Sequence, residues 1–90
     1  VAGGLDKDGQ HVKGWQTLGP GFIEVGTVTP KPQGPNPGKI MARFPREKAV
    51  WNKMGFPSAG IAQVKKNLAK VKTPHTTPLF VNLGKNRATT

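Results

Sequence analysis

The clearest pattern in the chain is a helical spacing of apolar residues in its second half. Ile61, Val64, Leu68 and Val71 follow one another at intervals of 3, 4 and 3 residues, and the lysines among them largely fall on other faces. The spacing predicts a helix over residues 58–72. Ser58 directly follows a proline and is a suitable residue to cap the start of that helix.

A weaker helical pattern lies near the start of the chain. Val12, Trp15 and Leu18 recur at helical spacing, and they predict a short helix that ends at Gly19. A single helical turn is also expected within "PREKAVWNKMGF", before Gly55. The chain therefore offers one clear helix and one weak one as cover for whatever strands it contains.

Three segments have the composition of strands. "VAGGL" is short, apolar and small, like the end of a buried strand, whereas "GFIEVGTVTP" and "PLFVNLGKN" are rich in β-branched and aromatic residues. The stretch "KPQGPNPGK" is rich in proline and glycine and predicts a loop without regular structure. Strands and helices alternate along the chain, and such alternation indicates parallel βα units of an α/β fold.

The loops after the three strands contain the most unusual polar residues of the chain. Parallel strands with continuous apolar runs need cover on both faces, and one clear helix is too little. In a closed (β/α)8 barrel the ligand-binding loops follow the C-terminal ends of the strands. Those loops would be "DKDG", "GTVTPKPQ" and "GKN", so position and chemistry both indicate a ligand-binding edge.

Composition limits the chain to one domain at most and favours anionic partners. The 90 residues include 14 basic and 4 acidic side chains, for a net charge of +10. Such a charge suits nucleic acid, anionic lipid or an acidic protein surface, although a solvated basic surface is the simpler interpretation because the basic residues form no dense tail. There is no cysteine, so neither a disulfide nor a thiolate metal site is expected.

The turn "GGLDKDG" holds half of the acidic residues, Asp6 and Asp8, on either side of Lys7. It could be a calcium loop, an exposed turn, or a loop that directs Lys7 at an anion. An EF-hand loop starting at Asp6 would need glycine at its position 6 and glutamate at its position 12. The chain has His11 and Thr17 there, so we predict no metal site and interpret the two aspartates as turn-forming residues.

Four segments carry a resemblance to a known family. They are "AGGLDKDG", "GFIEVGTVTPKPQGPNPGK", "NKMGF" and "FVNLGKN", and together they extend over nearly the whole chain. In order and spacing they resemble the quinone-linked (class 2) dihydroorotate dehydrogenases. The resemblance implies a partial (β/α)8 TIM barrel that consists of the first three βα units. Residues 1–90 would then be the N-terminal segment of an FMN-binding barrel.

The resemblance also implies an activity and a location. Enzymes of this family oxidise dihydroorotate to orotate in pyrimidine biosynthesis and pass the electrons through FMN to a quinone. We therefore expect peripheral association with the mitochondrial inner membrane or the bacterial cytoplasmic membrane. The family's catalytic serine would fall beyond Thr90, so we expect no catalytic residue in this segment. The segment would need the remainder of the barrel, from the same chain or a partner subunit.

The matched motifs imply specific site residues. The residues expected to bind the cofactor are Gly3, Gly4, Leu5, Asp6, Lys7, Thr27 and Asn82. Those expected to bind the substrate are Lys7, Asn52, Lys53, Met54, Gly55 and Phe56. Arg43 stands where the family has an arginine beside the quinone pocket. The residue types suit these roles, because an ammonium group can balance a carboxylate and amide side chains supply both donors and acceptors.

An alternative reading is a catalytically inactive, truncated relative that serves as a basic structural subunit of a larger assembly. Such a subunit would bind nucleic acid or an acidic protein surface through its positive charge. Lys53 stands where the family usually has arginine, and "GKIMAR" replaces a stretch that is usually more basic. The length and charge favour this alternative, whereas the presence of Lys7, Thr27, Asn52 and Asn82 favours the enzyme.

Overall fold

A computed structural model describes residues 1–71 and 77–90 of the chain. Its elements are, in chain order, α1 (Val12–Thr17), β1 (Ile23–Val28), β2 (Met41–Phe44), a 3-10 turn (Pro45–Glu47), β3 (Ala49–Asn52), α2 (Ile61–Ala69) and β4 (Leu79–Leu83). β1 and β4 form a parallel pair, and β2 and β3 form an antiparallel hairpin. Neither helix in these two described ranges has the length and apolar content needed to cross a membrane.

The parallel pair of β1 and β4 is the centre of the fold. Ile23, Val25 and Val28 of β1 are at most 2% exposed, as expected for an apolar run with cover on one face and a strand beside it. Ile23 lies opposite Leu79, and Val25 lies opposite Val81. Both strands and their parallel direction confirm the sequence prediction.

The prediction of a first strand at "VAGGL" is wrong, although the segment lies where such a strand would be. The Val1 carbonyl accepts a hydrogen bond of 2.8 Å from the Glu24 amide, and the Gly4 amide donates one of 3.2 Å to the Gly26 carbonyl. The segment therefore runs beside β1 in the same direction. Gly4 has a φ of 100°, which only glycine adopts readily, and it turns the backbone out of the extended conformation.

The core lies between β1 and the two helices. Val12 of α1 packs on Ile23 and Val25, and half-buried side chains surround them, namely Val1, Trp15, Leu68, Val71 and Leu79. Val64 of α2 is 2% exposed. The predicted apolar stripe is therefore correct at three of its positions, but Ile61, in the first turn of α2, is 51% exposed.

The start of α2 also differs from the prediction, because Gly60 rather than Ser58 is the residue before its first turn. The backbone of Ser58 pairs with Gln33 through two hydrogen bonds of 2.9 and 3.0 Å. Its hydroxyl oxygen accepts from the Thr29 and Gly60 amides instead of capping the helix. At the other end, the predicted last residue, 72, lies outside the described residues.

The hairpin of β2 and β3 is an element that the sequence analysis did not predict. The expected helical turn in "PREKAVWNKMGF" is present as the 3-10 turn, but β3 follows it and pairs with β2 from Met41 opposite Asn52 to Phe44 opposite Ala49. Each strand has only four residues, and their side chains are nearly all exposed. A strand with no buried face has no alternation of apolar and polar residues to reveal it.

Candidate functional site

The loop that carries Lys7 is held in place by the aspartate before it. Asp6 is 4% exposed, and its two carboxylate oxygens each accept a hydrogen bond of 3.0 Å, one from the Gln10 amide and one from the His11 amide. These bonds close the turn that leads into α1. The prediction that this aspartate forms a turn is confirmed, and both of its carboxylate oxygens take part in the turn.

The second aspartate attaches the same loop to α2. One carboxylate oxygen of Asp8 accepts a 2.9 Å hydrogen bond from the Ala59 amide, and its carbonyl accepts one of 2.9 Å from the Asn67 side chain. Asn67 is 8% exposed and also accepts a bond from Gln63. Asn67 was not predicted, although a polar residue beside Leu68 on an otherwise apolar helical stripe is a signal that could have revealed it.

Thr27 and Asn82 meet where the parallel pair is irregular. The register of β1 against β4 shifts between Val25 and Val28, and at this shift the Thr27 hydroxyl donates a 2.7 Å hydrogen bond to the Asn82 side-chain oxygen. Because that oxygen accepts, the Asn82 amide nitrogen remains available as a donor. Gly26 has a φ of 117°, and a Cβ there would lie 2.6 Å from the Asn82 carbonyl, so only glycine permits this approach.

Most of the predicted site residues line one open depression at the C-terminal ends of β1 and β4. Its volume is about 410 Å³. The predicted cofactor residues in its wall are Gly3, Gly4, Lys7, Thr27 and Asn82, and the predicted substrate residues are Asn52, Met54 and Phe56. An adjoining depression of about 360 Å³ shares Lys7 with it and adds Lys53 and Gly55. Lys7 of the predicted loop "DKDG" thus meets Thr27 of "GTVTPKPQ" at this depression, whereas "GKN", residues 84–86, lines neither depression.

Three predicted residues lie elsewhere. Leu5 is 65% exposed and lines neither depression, and Asp6 is buried in its own turn. Arg43 is on β2 and lines a separate depression of about 280 Å³ on the hairpin, which meets the main one at Asn52. A larger depression of about 480 Å³, between residues 30–33 and 86–89, contains none of the predicted residues. We place the candidate site where the converging polar groups are.

Lys7 is the one basic side chain among the described residues that line this depression. Its side chain is half-buried, and within residues 1–71 and 77–90 no carboxylate lies within 4.0 Å of its ammonium group. Glu24 lines the same depression, but its carboxylate accepts a 3.3 Å hydrogen bond from the Gly3 amide and forms no ion pair with Lys7. A half-buried cation that no carboxylate contacts directly is suited to binding an anionic group.

Glu24 and Asn36 belong to the site but were not predicted. Glu24 could have been noticed as the one charged residue in the strand "GFIEVGTVTP". Asn36 donates from its side chain to the Lys53 carbonyl at 2.7 Å, and its own amide donates to the Met54 carbonyl at 2.9 Å. A Cβ at Gly55 would collide with the Asn36 side chain, so glycine is required there. No local pattern indicates these contacts.

Comparison with known proteins decides the family. The family model described as dihydroorotate dehydrogenase matches residues 1–90. The chain belongs to the dihydroorotate dehydrogenase family. A curated relative named dihydroorotate dehydrogenase (quinone), from Acidithiobacillus ferrooxidans, is 47% identical over 89 residues, and one from Thiobacillus denitrificans is 45% identical. Each alignment covers 99% of this chain but 24% and 26% of the two relatives, so the chain spans about a quarter of their length.

Solved structures of the family agree with the fold. The crystal structure of DHODH in complex with ferulenol from Eimeria tenella has a TM-score of 0.89 at 38% identity, over 100% of this chain and 26% of that chain. The ligand-free type from the same organism has a TM-score of 0.82 at 35% identity, over 97% of this chain and 26% of that one. The predicted family and the predicted partial barrel are therefore confirmed, while the roles of individual site residues stay predictions.

Proposed function

We propose that this chain forms the N-terminal part of the barrel of a quinone-linked dihydroorotate dehydrogenase, which oxidises dihydroorotate to orotate and holds FMN. The observation that carries the proposal is the convergence of Lys7, Thr27, Asn82 and the segment 52–56 on one depression at the C-terminal ends of parallel strands. This is where barrels of this architecture bind their ligands. The remainder of the barrel would supply the catalytic base.

The wall of the depression fits one edge of a flavin. Gly3, Gly4 and Gly26 bring backbone to its surface without side chains, as a close approach to a flat ring system requires. The Asn82 amide nitrogen, which has no hydrogen bond to any described residue, can donate to a ring acceptor, and the Thr27 hydroxyl fixes its orientation. When bound, FMN supplies the redox chemistry, taking two electrons from the substrate and passing them to the acceptor.

The segment 52–56 and Lys7 would hold the substrate. The Lys7 ammonium balances the carboxylate of dihydroorotate, and Asn52 offers both a donor and an acceptor to the ring carbonyl and N–H groups. Lys7 lines both adjoining depressions, so it can contact the substrate and the cofactor together. Its charge then acts where negative charge develops during the reaction.

The quinone belongs to the proposal on the strength of the family resemblance and of the names of the curated relatives, and the membrane on the strength of the resemblance alone. Arg43, on the hairpin, would lie beside the quinone, since its depression adjoins the main one at Asn52. We expect the whole protein to associate peripherally with the mitochondrial inner membrane or the bacterial cytoplasmic membrane. Sedimentation with anionic lipid vesicles, with and without salt, tests this association.

The decisive experiment uses the full-length protein that carries this sequence. We expect it to purify with FMN, to lose its flavin absorbance when dihydroorotate is added without oxygen, and to regain it with a soluble ubiquinone analogue. Orotate should appear in the first step. A colourless protein that forms no orotate but binds RNA or an acidic protein would instead support the basic structural subunit.

A further inference from the structure

The turn at Gly55 and Phe56 is the most constrained part of the substrate segment. Gly55 has a φ of 80° and Phe56 a φ of 55°. A left-handed conformation is ordinary for glycine but costly for phenylalanine, whose Cβ crowds the backbone. Such a conformation persists only where surrounding contacts impose it. The contacts that impose it here therefore determine how the segment faces the depression.

Gln33 supplies most of these contacts. Its side-chain nitrogen donates to the Gly55 carbonyl at 3.2 Å and to the Phe56 carbonyl at 2.9 Å. Its side-chain oxygen accepts from the Asn86 side chain at 3.1 Å and from the Arg87 amide at 3.0 Å. Two donors and two acceptor sites are all that an amide side chain has, so every one is occupied.

The partners of Gln33 are themselves fixed. Asn86, 7% exposed, also donates to the Lys31 carbonyl at 2.8 Å and accepts from the Lys31 amide at 2.9 Å. The Arg87 guanidinium donates to the Gly34 carbonyl at 3.0 Å and to the Gly55 carbonyl at 3.1 Å. The Gly55 carbonyl thus receives two donors, and the loop after β4 is joined to the loop after β1 and to the substrate segment.

We propose that Gln33 is the positioning residue of the substrate segment, with Arg87 in support. By holding the carbonyls of Gly55 and Phe56 it imposes the left-handed turn that directs Met54 and Phe56 to the wall of the depression. Gln33 lines neither that depression nor its neighbour, so it acts through the segment and touches no reacting atom. The inference rests on the proposed function, since it concerns binding of the substrate.

The test is the variant Gln33→Glu in the full-length protein. The carboxylate keeps the shape and the acceptor oxygen but replaces the donating nitrogen with an oxygen that faces two carbonyls. We expect the KM for dihydroorotate and the Kd for orotate to rise by about tenfold or more, because the variant loses two hydrogen bonds between neutral groups. The Kd for orotate is measured by the perturbation of the flavin spectrum. FMN content should stay at the wild-type level, and kcat should fall far less than KM rises.

Two further variants keep the result interpretable. Gln10→Glu makes the same atomic change on an exposed side chain that has no hydrogen bond to any described residue, and it should leave the KM and the Kd unchanged. Arg87→Met removes one donor from the Gly55 carbonyl while Gln33 remains, and it should raise the KM about threefold. If Gln33→Glu does not fold, Arg87→Met decides, because a wild-type KM in that variant overturns the inference.

The outcomes separate the two proposals. A wild-type protein that reduces its flavin with dihydroorotate, combined with unchanged orotate binding in Gln33→Glu, overturns the positioning role and leaves the proposed function standing. Loss of FMN or a lower melting temperature with an unchanged Kd for orotate also overturns it, because it indicates a purely structural residue. A wild-type protein that never oxidises dihydroorotate overturns both.

Discussion

The loop edge of this chain and the faces of its sheet differ in how complete they are. At the loop edge, Asp6, Gln33 and Asn86 have their side-chain polar groups hydrogen-bonded to other parts of the same segment. On the sheet, by contrast, Phe80 is 56% exposed and Leu83 is 71% exposed. The hydrogen bonds that position the loops of this edge are thus made within the segment, whereas these apolar side chains of the sheet stay exposed.

This difference indicates which properties the segment carries by itself. The polar contacts of the loops join groups that all lie within residues 1–90, so the first strands and their loops can complete them. A barrel buries its strands on one side against the other strands and on the other side against helices, so these faces need the whole barrel. Within residues 1–71 and 77–90, the buried apolar side chains are Val12, Ile23, Val25, Val28 and Val64.

The largest effect is expected when the sheet faces are left uncovered. Residues 1–90 expressed alone should be unfolded or aggregated and should bind no FMN. Ordering the backbone costs roughly 1–2 kcal/mol per residue, and so small a buried core cannot offset that cost. The exposed edge of β4 also invites pairing between chains. Circular dichroism and size-exclusion chromatography check this, and a soluble monomer with a cooperative melt would refute it.

The next largest effect should come from the charge at the loop edge. In the full-length protein, Lys7→Ala should lower the turnover of dihydroorotate by a factor of roughly 10²–10³, because the variant lacks the preorganised cation expected beside the reacting groups. Lys13→Ala, on the exposed side of α1, removes the same charge away from the depression and should leave turnover unchanged. Turnover of Lys7→Ala within a few-fold of wild type would contradict the role of this lysine.

A glycine at the junction of the two regions should matter next. Gly26→Ala forces a Cβ toward the Asn82 carbonyl at a φ of 117°, and the backbone strain alone should lower the free energy of unfolding by roughly 1–3 kcal/mol. Gly14→Ala is the matched control, since outside the local backbone no described atom lies within 4 Å of the Cβ that alanine would add there. Because Gly14 lies in α1, its replacement by alanine should raise the free energy of unfolding by roughly 0.5–1 kcal/mol. The measurement is the melting temperature of both full-length variants. Equal shifts in the two melting temperatures would show that the close approach at Gly26 is unimportant.

Asn82→Ala should act on the cofactor more than on the fold. Loss of its amide leaves a flavin group without a partner, and we expect FMN affinity to weaken by about 1–3 kcal/mol. The measurement is the FMN content after dilution and gel filtration, with the melting temperature of the apoprotein as the control. An unchanged flavin content would argue against contact between Asn82 and the cofactor.

The smallest effect is expected on the hairpin. Arg43→Ala should raise the KM for a ubiquinone analogue by no more than about fivefold, since exposed ionic contacts contribute about 1 kcal/mol or less. Reduction of the flavin by dihydroorotate should stay at the wild-type rate, because Arg43 lies outside the main depression. A slower reductive step would instead assign Arg43 to the loop edge.

Local patterns in the sequence determined two strands, one helix and the residues that surround the site. The β-branched and aromatic content of β1 and β4 indicated the strands. The stripe of Val64, Leu68 and Val71 was readable because burial on one face leaves a period in the sequence. The four motifs at residues 2–9, 21–39, 52–56 and 80–86 together identified the family. The exposed hairpin had no such period.

Tertiary structure alone decided which distant polar groups meet. Gln33 is 22 and 23 residues from the carbonyls it holds, and 53 from its partner Asn86. Asn67 reaches back 59 residues to the carbonyl of Asp8, and Ser58 pairs with Gln33 instead of capping α2. A hydrogen bond depends on the geometry of two specific atoms and leaves no periodic trace along the chain, so these contacts appear only when the parallel strands bring their loops to one edge.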